Sequence, residues 1–242
     1  MTASAAYATI SYNSIDQTTV ADGTNMAYAG TGQADRITVG ATTQTHTLLG
    51  DQVDAVAGVS TYYNRDPQGT LASEVTLAGE YYYAFDGNRS VIALVDTTGT
   101  QRAAYTYDPY GANATATALN GTLPTNPWRY DSGYLDPSGL CHFGARYYDP
   151  TTGRFTQLDP AASSADGNRY AYAGDDPVNF EDPSGRVSLS CQWWGGCDLY
   201  LTETDVSDIA DFGTFAGNRG RRPGLQPAGD RSRWRRCGSS LG

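Results

Sequence analysis

Tyr81-Tyr-Tyr-Ala-Phe-Asp-Gly87 recurs 22 residues later as Ala103-Ala-Tyr-Thr-Tyr-Asp-Pro109. Each copy alternates aromatic residues and ends on an aromatic-Asp pair followed by a turn residue. Tyr62 and Tyr63, followed by Asp66-Pro67, form a looser copy upstream. Alternation places every second ring on one face of a sheet, and the aspartate accepts backbone N–H bonds in the turn. Repeating that unit extends a sheet by one hairpin per period.

The same grammar continues outward. Ala6-Tyr-Ala-Thr-Ile-Ser-Tyr12, Arg36-Ile-Thr-Val39, Leu71-Ala-Ser-Glu-Val-Thr-Leu77 and Val91-Ile-Ala-Leu-Val95 read as strands. Asn13-Ser14, Asp22-Gly23, Gly30-Thr-Gly32 and Asp86-Gly87 separate them as turns. The expected fold class is all-β: a strip of serial antiparallel hairpins over residues 1–110. Residues 111–127, mostly Ala, Thr, Asn, Gly and Pro, read as a loop. The densest region runs over 128–185. In 186–216, Val187 to Leu201 reads as strand, tight loop, strand. Residues 217–242 carry too few apolar side chains to offset ordering and are expected to be disordered.

Composition narrows the function. The chain has 242 residues, 18 of them tyrosine and six phenylalanine, which suits half-buried rings that keep a hydroxyl at a polar surface. All 16 basic residues are arginines, and the net charge of −10 is uneven. Seven arginines against Asp230 give the tail from 217 a charge of +6, leaving −16 on the rest. So acidic a body repels phosphates and disfavours a nucleic-acid partner. No stretch reads as a membrane span. Neither a zinc motif nor any other metal or cofactor signature is present, because no CxxC pair exists and both histidines lie far from Cys191 and Cys197. The Cys191–Cys197 spacing is compatible with a small disulfide loop, which would fit an exported protein.

Between these segments lies a specific resemblance. Tyr105-Thr-Tyr-Asp-Pro-Tyr-Gly111 resembles the closing repeat of the rearrangement-hotspot (RHS) or YD-repeat family. Asn126-Pro-Trp-Arg-Tyr130, Leu135-Asp-Pro-Ser-Gly-Leu140 and Gly144-Ala-Arg-Tyr-Tyr-Asp-Pro-Thr-Thr-Gly-Arg-Phe-Thr-Gln-Leu-Asp-Pro160 resemble its core-associated segment, completed by Asn168 to Tyr172 and Asp182-Pro-Ser-Gly185. The likeness is close over about residues 80–185 and looser back to residue 1. It implies that the strip is the end of a hollow β-shell, and that 128–185 is a plug spiralling inward at its closed end.

The resemblance also implies partners and a place. They are the upstream shell of a longer protein, the chain's own C-terminal tail, and a secretion machine. The setting is a secreted or cell-surface polymorphic toxin of which this chain is a C-terminal fragment. Apart from the resemblance, the abrupt loss of pattern in the basic tail suggests a frameshifted end. A cell-wall or carbohydrate-binding surface protein, with polysaccharide as partner, and an inactive truncated fragment stay open as alternatives.

Family members often cut themselves after a final Asp-Pro-x-Gly-Leu. By position, Asp159 and Asp182 match two family aspartates, and Arg154 a nearby arginine. Two acids brought close cannot both ionise cheaply, so one keeps a proton while the other activates water; Arg154 would hold the ionised member. The expected break follows Gly185-Arg186. Arg186 departs from the family's leucine and would fit badly in an apolar pocket. This self-directed aspartyl chemistry is the one enzymatic activity the chain offers; metabolic activity is not expected. Each Asp-Pro and Asp-Gly also has a plainer reading as a turn, the tyrosine stripes as sheet packing, and His142 as a hydrogen-bonded core residue.

Overall fold

The computed structural model describes residues 9–46, 52–67, 69–160 and 168–186, together with the backbone of two short strands, Leu189–Gln192 and Gly196–Leu199. Twelve strands form one sheet, each pairing antiparallel with the next in chain order. They are β1 (Ile10–Tyr12), β2 (Thr18–Ala21), β3 (Thr24–Tyr28), β4 (Arg36–Val39), β5 (Thr42–His46) and β6 (Gln52–Val56). Then follow β7 (Val59–Arg65), β8 (Leu71–Thr76), β9 (Gly79–Phe85), β10 (Val91–Asp96), β11 (Gln101–Thr106) and β12 (Thr115–Ala118). A second, four-stranded sheet contains β13 (Tyr134–Leu135), β14 (Cys141–Phe143), β15 (Arg146–Asp149) and β16 (Arg154–Phe155).

The hairpin reading of the repeat is correct at the level of single turns. Asp66, Asp86, Asp96 and Asp108 each accept an N–H from three residues on at their carbonyl, from Gly69, Arg89, Gly99 and Gly111. The four side chains cap the same turns: Asp66 Oδ1 takes Thr70 N–H, Asp86 Oδ1 takes Asn88 and Ser90, Asp96 Oδ1 takes Thr98 and Thr100, and Asp108 Oδ1 takes Tyr110. A carboxylate that satisfies these loop donors fixes the turn, and with it the register of the next hairpin.

One sheet face is covered and the other is bare, as strand alternation requires. Met26, Val39, Tyr63, Leu71, Tyr81, Val91, Leu94, Ala103 and Tyr105 form a core with Trp128, Tyr134, Leu140 and Tyr147 from the second unit. Tyr62, Val75 and Tyr82 point the other way and are exposed. Trp128 meets Tyr63 and Tyr134 edge-on, with centroids 5.8 and 5.3 Å apart, and the Arg65 guanidinium lies 4.8 Å from the Trp128 ring centroid. Polar contacts also cross this interface. Arg36 donates to Asp136 at 2.8 and 2.9 Å, and Tyr134 donates its hydroxyl to Asp54 at 2.6 Å.

The expected loop over 111–127 needs correction, because it contains β12. All four β12 residues are exposed, so the strand has no buried face and hence no apolar alternation to read. Ladder bonds to β11 and a 2.6 Å Thr106–Thr115 hydroxyl contact hold it. The strands Leu189–Gln192 and Gly196–Leu199 pair with Cys191 opposite Cys197 in the backbone register. Their side chains lie outside the described residues, and so do the proposed disulfide and the whole 217–242 tail. Among the described residues no helix is long and apolar enough to cross a membrane, and no cluster of metal-binding side chains occurs.

Candidate functional site

β15 is the strand that builds the site. Arg146, Tyr147 and Tyr148 are all buried, since the strand is covered on both faces. Tyr147 joins the core shared with the large sheet, while Tyr148 packs with Tyr130, Phe143, Phe155 and Tyr172. The Arg146 guanidinium lies over the Phe155 ring, 3.6 Å from its centroid. So enclosed, a cation must find partners.

Arg146 finds two carboxylates. Its Nη2 lies 3.0 Å from Asp159 Oδ2 and 2.9 Å from Asp182 Oδ2, with side-chain exposures of 2% for Arg146, 17% for Asp159 and 2% for Asp182. Its Nε donates to the Gly185 carbonyl and its Nη1 to the Arg169 carbonyl at 3.3 Å. Burial pulls the guanidinium below its ordinary pKa, while Asp182 and Asp159 push it back up. Arg169 fastens the far side by donating to the Asp159 carbonyl at 2.6 Å and accepting the Asp159 N–H at 3.0 Å.

The two expected aspartates therefore meet on one arginine, and that arginine is Arg146, not Arg154. In the β15–β16 ladder Tyr148 faces Phe155 and Asp149 faces Arg154. Phe155 points into the core, so alternation turns Arg154 out to solvent, where it is exposed.

Asp182 is both a turn residue and a partner of Arg146. Its carbonyl accepts the Gly185 N–H at 3.2 Å, and its Oδ1 accepts the Arg186 N–H at 3.0 Å, which is the turn seen at Asp66 and Asp86. Its Oδ2 faces Arg146. Gly185 sits at φ +69°, and a Cβ there would collide with the Phe143 carbonyl oxygen; only glycine allows this approach. The turn thus brings the Gly185-Arg186 peptide onto Asp182 and Arg146.

Arg186 is half-buried beside a cavity of about 160 Å³. Asp16, Gln17, Gln33 and Gln157 line it together with Ile15 and Leu158. Ala145 and Pro160 also line it, so polar and apolar side chains share the surroundings of Arg186. The glutamines are fixed: Gln17 donates to the Gly30 and Gly32 carbonyls, and Gln157 to the Asp16 carbonyl and to Gln33. His142 lies elsewhere in the core, with Nε2 3.1 Å from the Gln33 carbonyl oxygen; burial lowers its pKa well below the usual value.

A hairpin strip covered on one face by a compact end-piece is the architecture of an RHS/YD-repeat protein. Residues 42–178 match the family described as Teneurin YD-shell, and the chain belongs to that family. It is 36% identical over 141 residues to the tRNA3(Ser)-specific nuclease WapA of Bacillus spizizenii, covering 56% of this chain and 6% of the relative. It is 32% identical over 113 residues to toxin subunit YenC2 of Yersinia entomophaga, covering 46% of this chain and 11% of the relative. The crystal structure of TcdB2-TccC3-Cdc42 superposes with a TM-score of 0.59 over 74% of this chain and 10% of that one, at 19% identity, a likeness of fold. The chain thus corresponds to about a tenth or less of the length of these relatives.

Proposed function

We propose that this chain is the closing end of an RHS shell in a secreted or contact-delivered toxin, and that it cuts itself after Arg186 to free the polypeptide that follows. The observation that carries the reading is Arg146, which gathers Asp159, Asp182 and the Gly185 carbonyl at one point. The relatives named as a nuclease and a toxin subunit support the toxin setting. Among the described residues β1 lies at one edge of the large sheet, and an unpaired edge is where a further turn of shell would add strands.

In the cut, the two carboxyls share one proton. The carboxylate takes a proton from water, and the oxygen forms a bond to the Arg186 carbonyl carbon. As the bond to the Val187 nitrogen breaks, the protonated partner gives its proton to that nitrogen. The products are a carboxylate on Arg186 and an amine on Val187. Arg146 keeps the two acids together throughout and holds the adjacent carbonyl.

The test is gel analysis of the purified chain beside Asp159→Asn and Asp182→Asn. The proposal expects two pieces from the parent and one from each variant. The same pattern in all three would refute it.

A further inference from the structure

A second group of buried acids lies under the Asp182 turn and shares Asp182 with the arginine-held pair. Asp131 and Tyr172 are 1% exposed, and Glu181 and Asp182 2%. Asp131 occupies a short 3-10 turn in the left-handed region, at φ +47°. Its N–H donates to Ser90 Oγ at 3.0 Å. Its Oδ2 accepts two donors, the Tyr172 hydroxyl at 2.8 Å and the Asp182 backbone N–H at 3.2 Å. Asp131 therefore ties three places together: the β9–β10 turn, the Tyr172 segment and the residue that begins the turn carrying Arg186.

We propose that Asp131 is a positioning residue of the self-cleavage site, holding the backbone of Asp182, and with it the Arg186 peptide, through its Oδ2. This rests on the self-cleavage reading above. The charged groups around it set its ionisation. From its own chain neighbourhood comes the Tyr130 ring; from the 181–182 segment come the Glu181 and Asp182 carboxyls; from the 172 segment comes Tyr172. Arg89 of the β9–β10 turn lies 3.4 Å from Glu181 and is half exposed, and Arg146 is engaged by Asp159 and Asp182. No cation in this set is given to Asp131. Burial first, and the Glu181 charge second, hold its carboxyl well above the usual carboxylate range. With Oδ2 accepting twice, the carboxyl is held protonated, and the Glu181 carboxyl hydrogen-bonds to it. Loss of the proton places another buried anion beside Asp182 and loosens the turn, so cleavage declines in alkaline solution, by about tenfold per pH unit beyond that ionisation.

Refolding from denaturant starts the reaction in the full chain, and the cleaved fraction against time gives its rate across a series of buffers. Asparagine at 131 keeps an acceptor for both donors, tolerates the left-handed backbone and cannot ionise. Asp131→Asn is expected to cleave at the parent rate near neutrality and to lose the alkaline decline. Asp131→Ala, which removes the acceptor, is expected to slow cleavage at every pH, and circular dichroism shows whether it has folded. An alkaline decline in Asp131→Asn identical to the parent's overturns the inference, while loss of cleavage in Asp182→Asn leaves the underlying reading standing. Carboxyl-carbon NMR of the uncleaved Asp182→Asn chain gives a readout free of cleavage. Titration of Asp131 in the ordinary carboxylate range overturns the inference whatever the gels show.

Discussion

Replacing Arg36 with methionine tests how the end-piece is joined to the sheet. Arg36 extends from β4 to Asp136 with side-chain exposures of 2% and 0%. It also donates to Gln44 at 2.8 Å and to the Tyr147 hydroxyl, and its guanidinium lies 5.0 Å from the Tyr134 ring centroid. Removing one partner of so deep an ion pair leaves a buried carboxylate, which costs about 3–5 kcal/mol. Burial already raises the Asp136 pKa, and Arg36 is the main opposing influence. Without Arg36 it rises further, so the carboxylate's share of the deficit is absent below the unfolded-state pKa, grows with pH above it and is complete above the raised one. The measurement is urea unfolding by tryptophan fluorescence in the Asp182→Asn background, which keeps the chain whole. Arg36→Met is expected to lose those few kcal/mol at neutral pH and recover part of them in acid. Adding Asp136→Leu is expected to restore most of the loss, since an apolar pair of similar volume replaces a buried ion pair at little cost. A loss below about 1 kcal/mol, the range of a solvent-exposed pair, would refute the docking described here.

Three further outcomes follow from the site and its surroundings. Arg146→Ala is expected to abolish cleavage and Arg154→Ala to leave it unchanged, read from gels of the two purified proteins; the reverse would restore Arg154 to the site. Gly185→Ala, which forces a Cβ toward the Phe143 carbonyl in the left-handed region, is expected to lower stability by at least about 1–2 kcal/mol and to block cleavage, measured by thermal unfolding and mass. Glu74, pushed by burial to about 7 from an ordinary 4.5, contributes stability that is complete below the lower value and lost as pH rises through the upper one. Glu74→Gln keeps the acceptor for Tyr83 and is expected to flatten that part of the stability–pH curve, a change of at most about 3 kcal/mol.

Most of the fold was readable because two local signals agree. Aromatic alternation marks the strands, and an aspartate that caps its own turn marks their ends. Both act within a few residues, so no long-range knowledge is needed. β12 escaped because a strand exposed on both faces has no alternation to display. The pair Asp159 and Asp182 was readable through family resemblance, whereas its arginine was not. In Arg146-Tyr-Tyr the strand is buried on both sides, so period-two reasoning cannot tell which residue faces the acids. Arg154 lay closer in sequence to Asp159, and only the Tyr148–Phe155 register shows that it points outward. Asp131 left no local signal at all, since its partners lie 41 and 51 residues away. The polar part of the lining beside Arg186 comes largely from the β1–β2 turn and the segment after β3, brought in only by the docking of the end-piece on the sheet.

Intact-mass spectrometry of the freshly purified 25.8 kDa chain tests the central claim most directly. The carboxylate pair held by Arg146 predicts two species whose masses place the break between Arg186 and Val187, and a single full-length species for Asp182→Asn. One full-length mass for the parent, or a break at another bond that persists in Asp182→Asn, would contradict it.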